Sequence, residues 1–168
     1  MNPEEIFGKD YSYFCEVDPY NQQNTVEGII SQKANEYYGA LIIQKVNNQE
    51  VPEQLIMATP KMHYPFAKQE DNINRKYDFK NAEEIEIYEK LDGTNILAFS
   101  YSNGGQKLFF SYKTRLRPFL NPESKWGNFY SMWNEVASKS FDAIKEAILV
   151  NHCNLSFELW GSRNPHLV

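Results

Sequence analysis

Ile85-Glu86-Ile87-Tyr88-Glu89-Lys90-Leu91-Asp92-Gly93-Thr94-Asn95-Ile96-Leu97-Ala98-Phe99 is the stretch on which the reading of the chain turns. Apolar and polar residues alternate over 85–89, the period of a strand with one face buried. Lys90 follows, Asp92-Gly93 supplies a turn, and Ile96-Leu97-Ala98-Phe99 leads away as a second strand. The expected local structure is strand, lysine, tight turn, strand, with one amine held at the rim of a sheet.

Downstream, Gly104-Gly105 separates Phe99-Ser100-Tyr101 from Leu108-Phe109-Phe110-Ser111-Tyr112, which predicts a hairpin. Between Trp126 and Val150, Phe129, Trp133, Val136, Ala137 or Phe141, Ile144 and Ile148 follow a 3.6-residue stripe, with a break expected at Ser138-Lys139-Ser140. Leu155-Ser156-Phe157-Glu158-Leu159-Trp160 alternates again and stops at Gly161, a final strand. Upstream, the runs at Val26, Ile29-Ile30, 38–46 and 55–58 read as short strands, whereas residues 1–24 carry no assignable function. Residues 67–83 are densely charged and predict an exposed, mobile connection. Strands, then helices, then a strand indicate an α+β fold with antiparallel sheets and packed helices.

The chain has 168 residues, enough for a substantial core, and its 11 Tyr, 11 Phe and 3 Trp argue against disorder. A net charge of −5 does not suggest a protein coated in nucleic acid, though a local basic groove is compatible with it. Cys15 and Cys153 lie far apart with no metal-ligand spacing and read as reduced thiols. No run has membrane-spanning length and no leader pattern opens the chain, so a cytoplasmic, membrane-free protein is expected.

A lysine amine has a pKa of about 10.4 and must be desolvated, or sit beside another cation, before it can attack phosphorus or carbon. A strand end over an apolar sheet would provide the first condition, and Lys113, Arg115 and Arg117 on the next hairpin the second. Taken alone, Lys-x-Asp-Gly is equally ordinary hairpin chemistry, with Lys90 a solvated lysine at a strand end.

Glu89-Lys90-Leu91-Asp92-Gly93-Thr94-Asn95 resembles the first motif of the covalent nucleotidyltransferases, and most closely that of their RNA ligase branch, K-x-D-G-[ST]-N. Phe157-Glu158-Leu159-Trp160-Gly161 is similar to the family's third motif, and Ser111-Tyr112-Lys113-Thr114-Arg115-Leu116-Arg117 to its arginine-bearing segment. The resemblance spans roughly residues 85–168, in the expected order. It implies the front part of an ATP-dependent nucleotidyltransferase domain, ATP-grasp-like and incomplete, over 84–168, behind an N-terminal β-rich extension over 1–66.

It also implies roles. Lys90 would attack the α-phosphorus of ATP and hold AMP as a phosphoramidate. The AMP would pass to the 5′-phosphate of an RNA, and a 3′-hydroxyl would displace it to seal the strand. Glu89 would lie beside the adenine, Leu91, Asp92 and Gly93 would belong to the nucleotide-binding turn, and Asn95 would place the phosphates or the 3′ end. Arg115 would contact the nucleotide and the 5′-phosphate, and Glu158 the ribose hydroxyls. ATP and Mg²⁺ are the implied cofactors, with magnesium neutralising the triphosphate; none of these residues is implied as its ligand. The partner is RNA with 5′-phosphate and 3′-hydroxyl ends.

Two later motifs of the family, an acidic E-G-hydrophobic-hydrophobic one and a lysine-bearing one, do not fit in the ten residues after Glu158. A longer enzyme is therefore expected, and this piece alone is expected to bind ATP poorly and ligate nothing. Val26-Glu27-Gly28-Ile29-Ile30 reads either as the missing acidic motif in permuted order or as a surface turn between strands. His63 is expected to be a loop or packed histidine, and His152 and Cys153 structural. Two rivals remain: a DNA ligase or capping-type enzyme, against which Asn95 argues because those branches place arginine there, and a non-catalytic binding module.

Overall fold

The structure, a computed structural model, describes residues 2–61, 81–121, 123–124 and 127–163. It is mixed α and β with antiparallel sheets, as expected. A short helix α1 (Pro3–Phe7) precedes four strands, β1 (Tyr11–Val17), β2 (Thr25–Ser31), β3 (Leu41–Val46) and β4 (Gln49–Ile56), which form one sheet in that order. A second sheet has the order β6-β5-β9, from β5 (Thr94–Ser102), β6 (Leu108–Thr114) and β9 (Leu155–Leu159). Between β6 and β9 lie a two-residue pair, β7 (Glu123–Ser124) with β8 (Gly127–Asn128), and the helices α2 (Phe129–Ala137) and α3 (Phe141–Asn151).

Layering follows from the period of the strands. β5 is apolar on both faces, so it is sandwiched. Leu97, Phe99 and Tyr101 point into a core shared with Val26, Ile30, Leu41, Ile43 and Ile56 of the first sheet. Ile96 and Ala98 point the other way, onto Trp133, Ala137, Ile144 and Ile148 of the helices. The outer face of the first sheet, Ile29 and Ile42, is capped by Phe7. Residues of the expected N-terminal extension and of the expected ligase segment therefore share one core. Asp18, buried in the β1–β2 connection, binds them further: it accepts from Tyr101 Oη and Ser111 Oγ, each at 2.7 Å.

The predicted 99–112 hairpin forms as β5 and β6, with Ser111 opposite Phe99. The helical stripe also forms, broken by a 3₁₀ turn at Ser138–Ser140, and Asn128 caps α2 by accepting the Ser131 N–H at 3.3 Å. Val136, expected on that stripe, is instead exposed. Two other expectations need correction. Residues 85–89 form no strand: they run without a ladder partner, and Ile87 is 93 % exposed. Residues 1–24, which carry no assignable function, contribute α1 and the edge strand β1. The surface-turn reading of Val26-Glu27-Gly28-Ile29-Ile30 is overturned, because the segment lies inside β2, between β1 and β3. Gly28 sits at a bulge there, where a Cβ would meet Ile42 O at 2.1 Å. His63 and most of the 67–83 connection lie outside the described residues. Among the described residues no helix is long and apolar enough to cross a membrane.

Candidate active site

The first and third motifs meet on one rung of a ladder. β5 begins at Thr94, directly after Gly93, and pairs with β9 so that Asn95 faces Glu158 and Thr94 faces Leu159. Facing residues in an antiparallel pair put their side chains on one side of the sheet, so Asn95 and Glu158 share a face. On the other flank Ile96 pairs with Thr114, which leaves Arg115 just past the end of β6, beside the same rim. That face is the one turned toward the first sheet, because Leu97 and Phe99 of the same set lie in the shared core.

Glu158 reaches back to the turn: its Oε1 accepts the Gly93 N–H at 2.9 Å. Glycine is required there by space. A Cβ on residue 93 would lie 2.2 Å from Leu159 O and 2.9 Å from Trp160 Cβ, so any larger residue would push the motifs apart. Asn95 Nδ2 donates to Ser156 Oγ at 2.7 Å and to Phe157 O at 3.2 Å. Ser156 Oγ in turn lies 2.7 Å from Thr59 Oγ1, so the first sheet's trailing loop closes on the same rim. Backbone bonding extends that wall, since the Lys61 N–H donates to Asn35 O at 3.0 Å.

Lys90 is differently placed. Its side chain is 79 % exposed and its amine contacts Asp92 Oδ1 at 3.3 Å, an ion pair in water. Glu89 is exposed and Leu91 is 40 % exposed. The expected desolvation over an apolar sheet is absent in the free chain because the 85–89 leg lies on no sheet. The expected neighbouring cation is absent too: Lys113 is fully buried, its amine turned inward to three backbone carbonyls, and Arg117 is exposed on the turn beyond. Gly93, Asn95 and Glu158 are thus brought together and Lys90 with Asp92, whereas no hydrogen bond or ion pair among the described residues joins Arg115 to either group.

Arg115 has its own setting. Its guanidinium carbon lies 5.6 Å from the Tyr38 ring centroid, a cation–π arrangement, and its Nε is buried without a hydrogen-bond partner. Tyr38 and Thr59 were not legible as site residues, because only the packing of the two sheets brings them to the rim. Ser156, two residues before Glu158 on one strand face, is within reach of period-2 counting. Among the described residues no cluster of three or more His, Cys, Asp or Glu could hold a metal ion, so they form no protein cage for the expected Mg²⁺. A magnesium ion carried on a triphosphate needs one or two carboxylates at most. A scan against protein-family models found no match to this chain, and searches of curated proteins and of solved structures found none either.

Proposed function

We propose that this chain carries the nucleotide-accepting lysine of an ATP-dependent RNA ligase. In this reading the neutral Lys90 Nζ attacks the α-phosphorus of ATP, a P–N bond forms, and the bond to the β-phosphate bridging oxygen breaks. Pyrophosphate leaves with the electron pair and the amine gives its proton to solvent. AMP then moves to an RNA 5′-phosphate and is displaced by a 3′-hydroxyl. The observation that carries the reading is the Gly93 N–H to Glu158 Oε1 bond across the Asn95–Glu158 rung. It joins residues 65 positions apart that the ligase resemblance puts at one nucleotide. The Arg115 fork stands beside the same rim, with donors suited to phosphate oxygens. In the free chain Lys90 stands in water, so bound ATP itself has to cover the amine.

The test is incubation of the longest natural polypeptide containing this chain with Mg²⁺ and ATP labelled at the α-phosphate. Label that survives denaturation and is lost in Lys90→Ala supports the ligase. Nicked RNA against nicked DNA then separates the RNA ligase from its DNA and capping-type rivals.

A second reading is favoured by the solvated Lys90–Asp92 pair and the unpaired 85–89 leg: a binding module in which Lys90 is an ordinary turn lysine. Absence of label in the longest form would favour that reading instead.

A further inference from the structure

Lys113 and Asp18 are the two charged side chains with no exposure among the described residues. The Lys113 amine donates to Gly39 O at 2.9 Å, Thr114 O at 2.8 Å and Arg115 O at 3.0 Å. Three acceptors match the three donors of an ammonium and no carboxylate takes part. One acceptor belongs to the β2–β3 connection, the other two to the end of β6. The amine therefore bolts the first sheet to the turn that carries Arg115.

The same two segments meet again beside it. Gly39 has φ +82°, and a Cβ there would lie 2.0 Å from Arg115 O. Tyr38, the preceding residue, presents its ring to the Arg115 guanidinium. The arginine is thus fixed by its carbonyl from inside and by its fork from the side. Its buried Nε has no protein acceptor, and no carboxylate is paired with the guanidinium among the described residues. A fork held rigid, with a donor left over, fits an incoming anionic oxygen.

We propose that Lys113, together with Tyr38, is a positioning residue that fixes Arg115 to receive a phosphate of the nucleotide. The inference rests on the nucleotidyltransferase reading and goes beyond it, because it gives the first sheet a part in the site. The Arg115 guanidinium is the charged group that bears on Lys113.

The experiment measures the KM for ATP and the maximal rate of label transfer to Lys90 in the longest natural form. Wild type is compared with Lys113→Met, Tyr38→Leu, Arg115→Ala and the two doubles that combine each of the first pair with Arg115→Ala. Loss of one well-held contact to a charged group corresponds to about tenfold. Lys113→Met and Tyr38→Leu are each expected to raise KM about tenfold, with maximal rate changed by less than about threefold. Each double variant should be no worse than Arg115→Ala alone, because the first residue acts only through the second. An unchanged KM, or effects that add in the doubles, overturns the proposal while leaving the ligase reading intact. Should circular dichroism show Lys113→Met unfolded, Tyr38→Leu and its double decide by the same criteria. A wild type that takes no label removes the ligase reading, and the positioning role goes with it.

Discussion

Two lysines of this chain sit on opposite sides of the same physical problem. Lys90 lies on a leg that no strand supports, 79 % exposed, with Asp92 as its contact. Lys113 lies on β6, the edge strand of the second sheet, and has no solvent contact at all. An amine in water keeps its hydration and costs the fold nothing, but it also holds nothing in place. An amine out of water must have its N–H donors met, and once they are met it fastens whatever carries the acceptors. The reactive group expected from sequence and the structurally committed one are therefore different lysines.

Removing the two should break that contrast or sharpen it. Lys113→Met leaves the carbonyls of Gly39, Thr114 and Arg115 without their donor, and a loss of about 3 kcal/mol in urea unfolding is expected. Lys90→Ala should change stability by less than about 0.5 kcal/mol. Equal effects in the two variants would mean that the buried amine fastens nothing. Gly93→Ala comes next, at about 2 kcal/mol, since its Cβ would lie 2.2 Å from Leu159 O. The same variant should lose label transfer at Lys90 even at temperatures where it stays folded, because the turn and β9 can no longer close. Full activity in folded Gly93→Ala would separate the turn from the Glu158 strand.

What the sequence revealed and what it hid divides along the same line. The β5–β6 hairpin was readable because Gly104-Gly105 and the apolar runs on each side are local signals. The helices were readable because Trp133, Ala137, Ile144 and Ile148 recur at helical spacing. Residues 85–89 show equally good alternation, yet a strand needs a neighbour for its N–H and C=O groups, and pairing is not written in the strand's own sequence. β1 failed in the opposite sense. Tyr13 and Cys15 face solvent at a sheet edge, so the alternation that marks a half-buried strand is weak there. In the site, Gly93, Asn95 and Glu158 were reached through spacing and resemblance. Tyr38 and Thr59 were not, because they arrive at the rim only through packing of one sheet on the other. The burial of Lys113 was hidden too: alternation puts it on the face of Leu97, but nothing local says that three carbonyls wait for it.

The pH dependence of stability gives the contrast a third measure. Burial, helped by the Arg115 charge, pulls the Lys113 pKa from 10.5 down to about 7. Between those values the unfolded chain holds a proton that the folded chain has released. Stability must then rise with pH from about 7, with a slope of at most about 1.4 kcal/mol per pH unit. It is lost as pH falls back toward 7. Half-buried Tyr20 and buried Tyr101 act in the other direction above about pH 10, because desolvation raises both and the unfolded state ionises first. Urea titrations between pH 7 and 9 should show the rise in wild type and a flatter line in Lys113→Met. A flat wild-type line would mean that the amine does not change its charge in that range.

The smallest effect belongs to the exposed member of the comparison. The Lys90–Asp92 pair is a single contact at 3.3 Å on a well-hydrated side chain, a geometry in which Coulomb attraction and the entropy of holding the lysine nearly cancel. Asp92→Ala should therefore shift stability by less than about 0.5 kcal/mol, and added salt should erase the difference. Its reading lies in what does not change: the Gly93 N–H still has Glu158 Oε1 as its acceptor, so the turn should keep its shape without the aspartate. A loss above about 1 kcal/mol that persists at high salt would show that Asp92 shapes the turn and that the leg carrying Lys90 is held more firmly than its exposure implies.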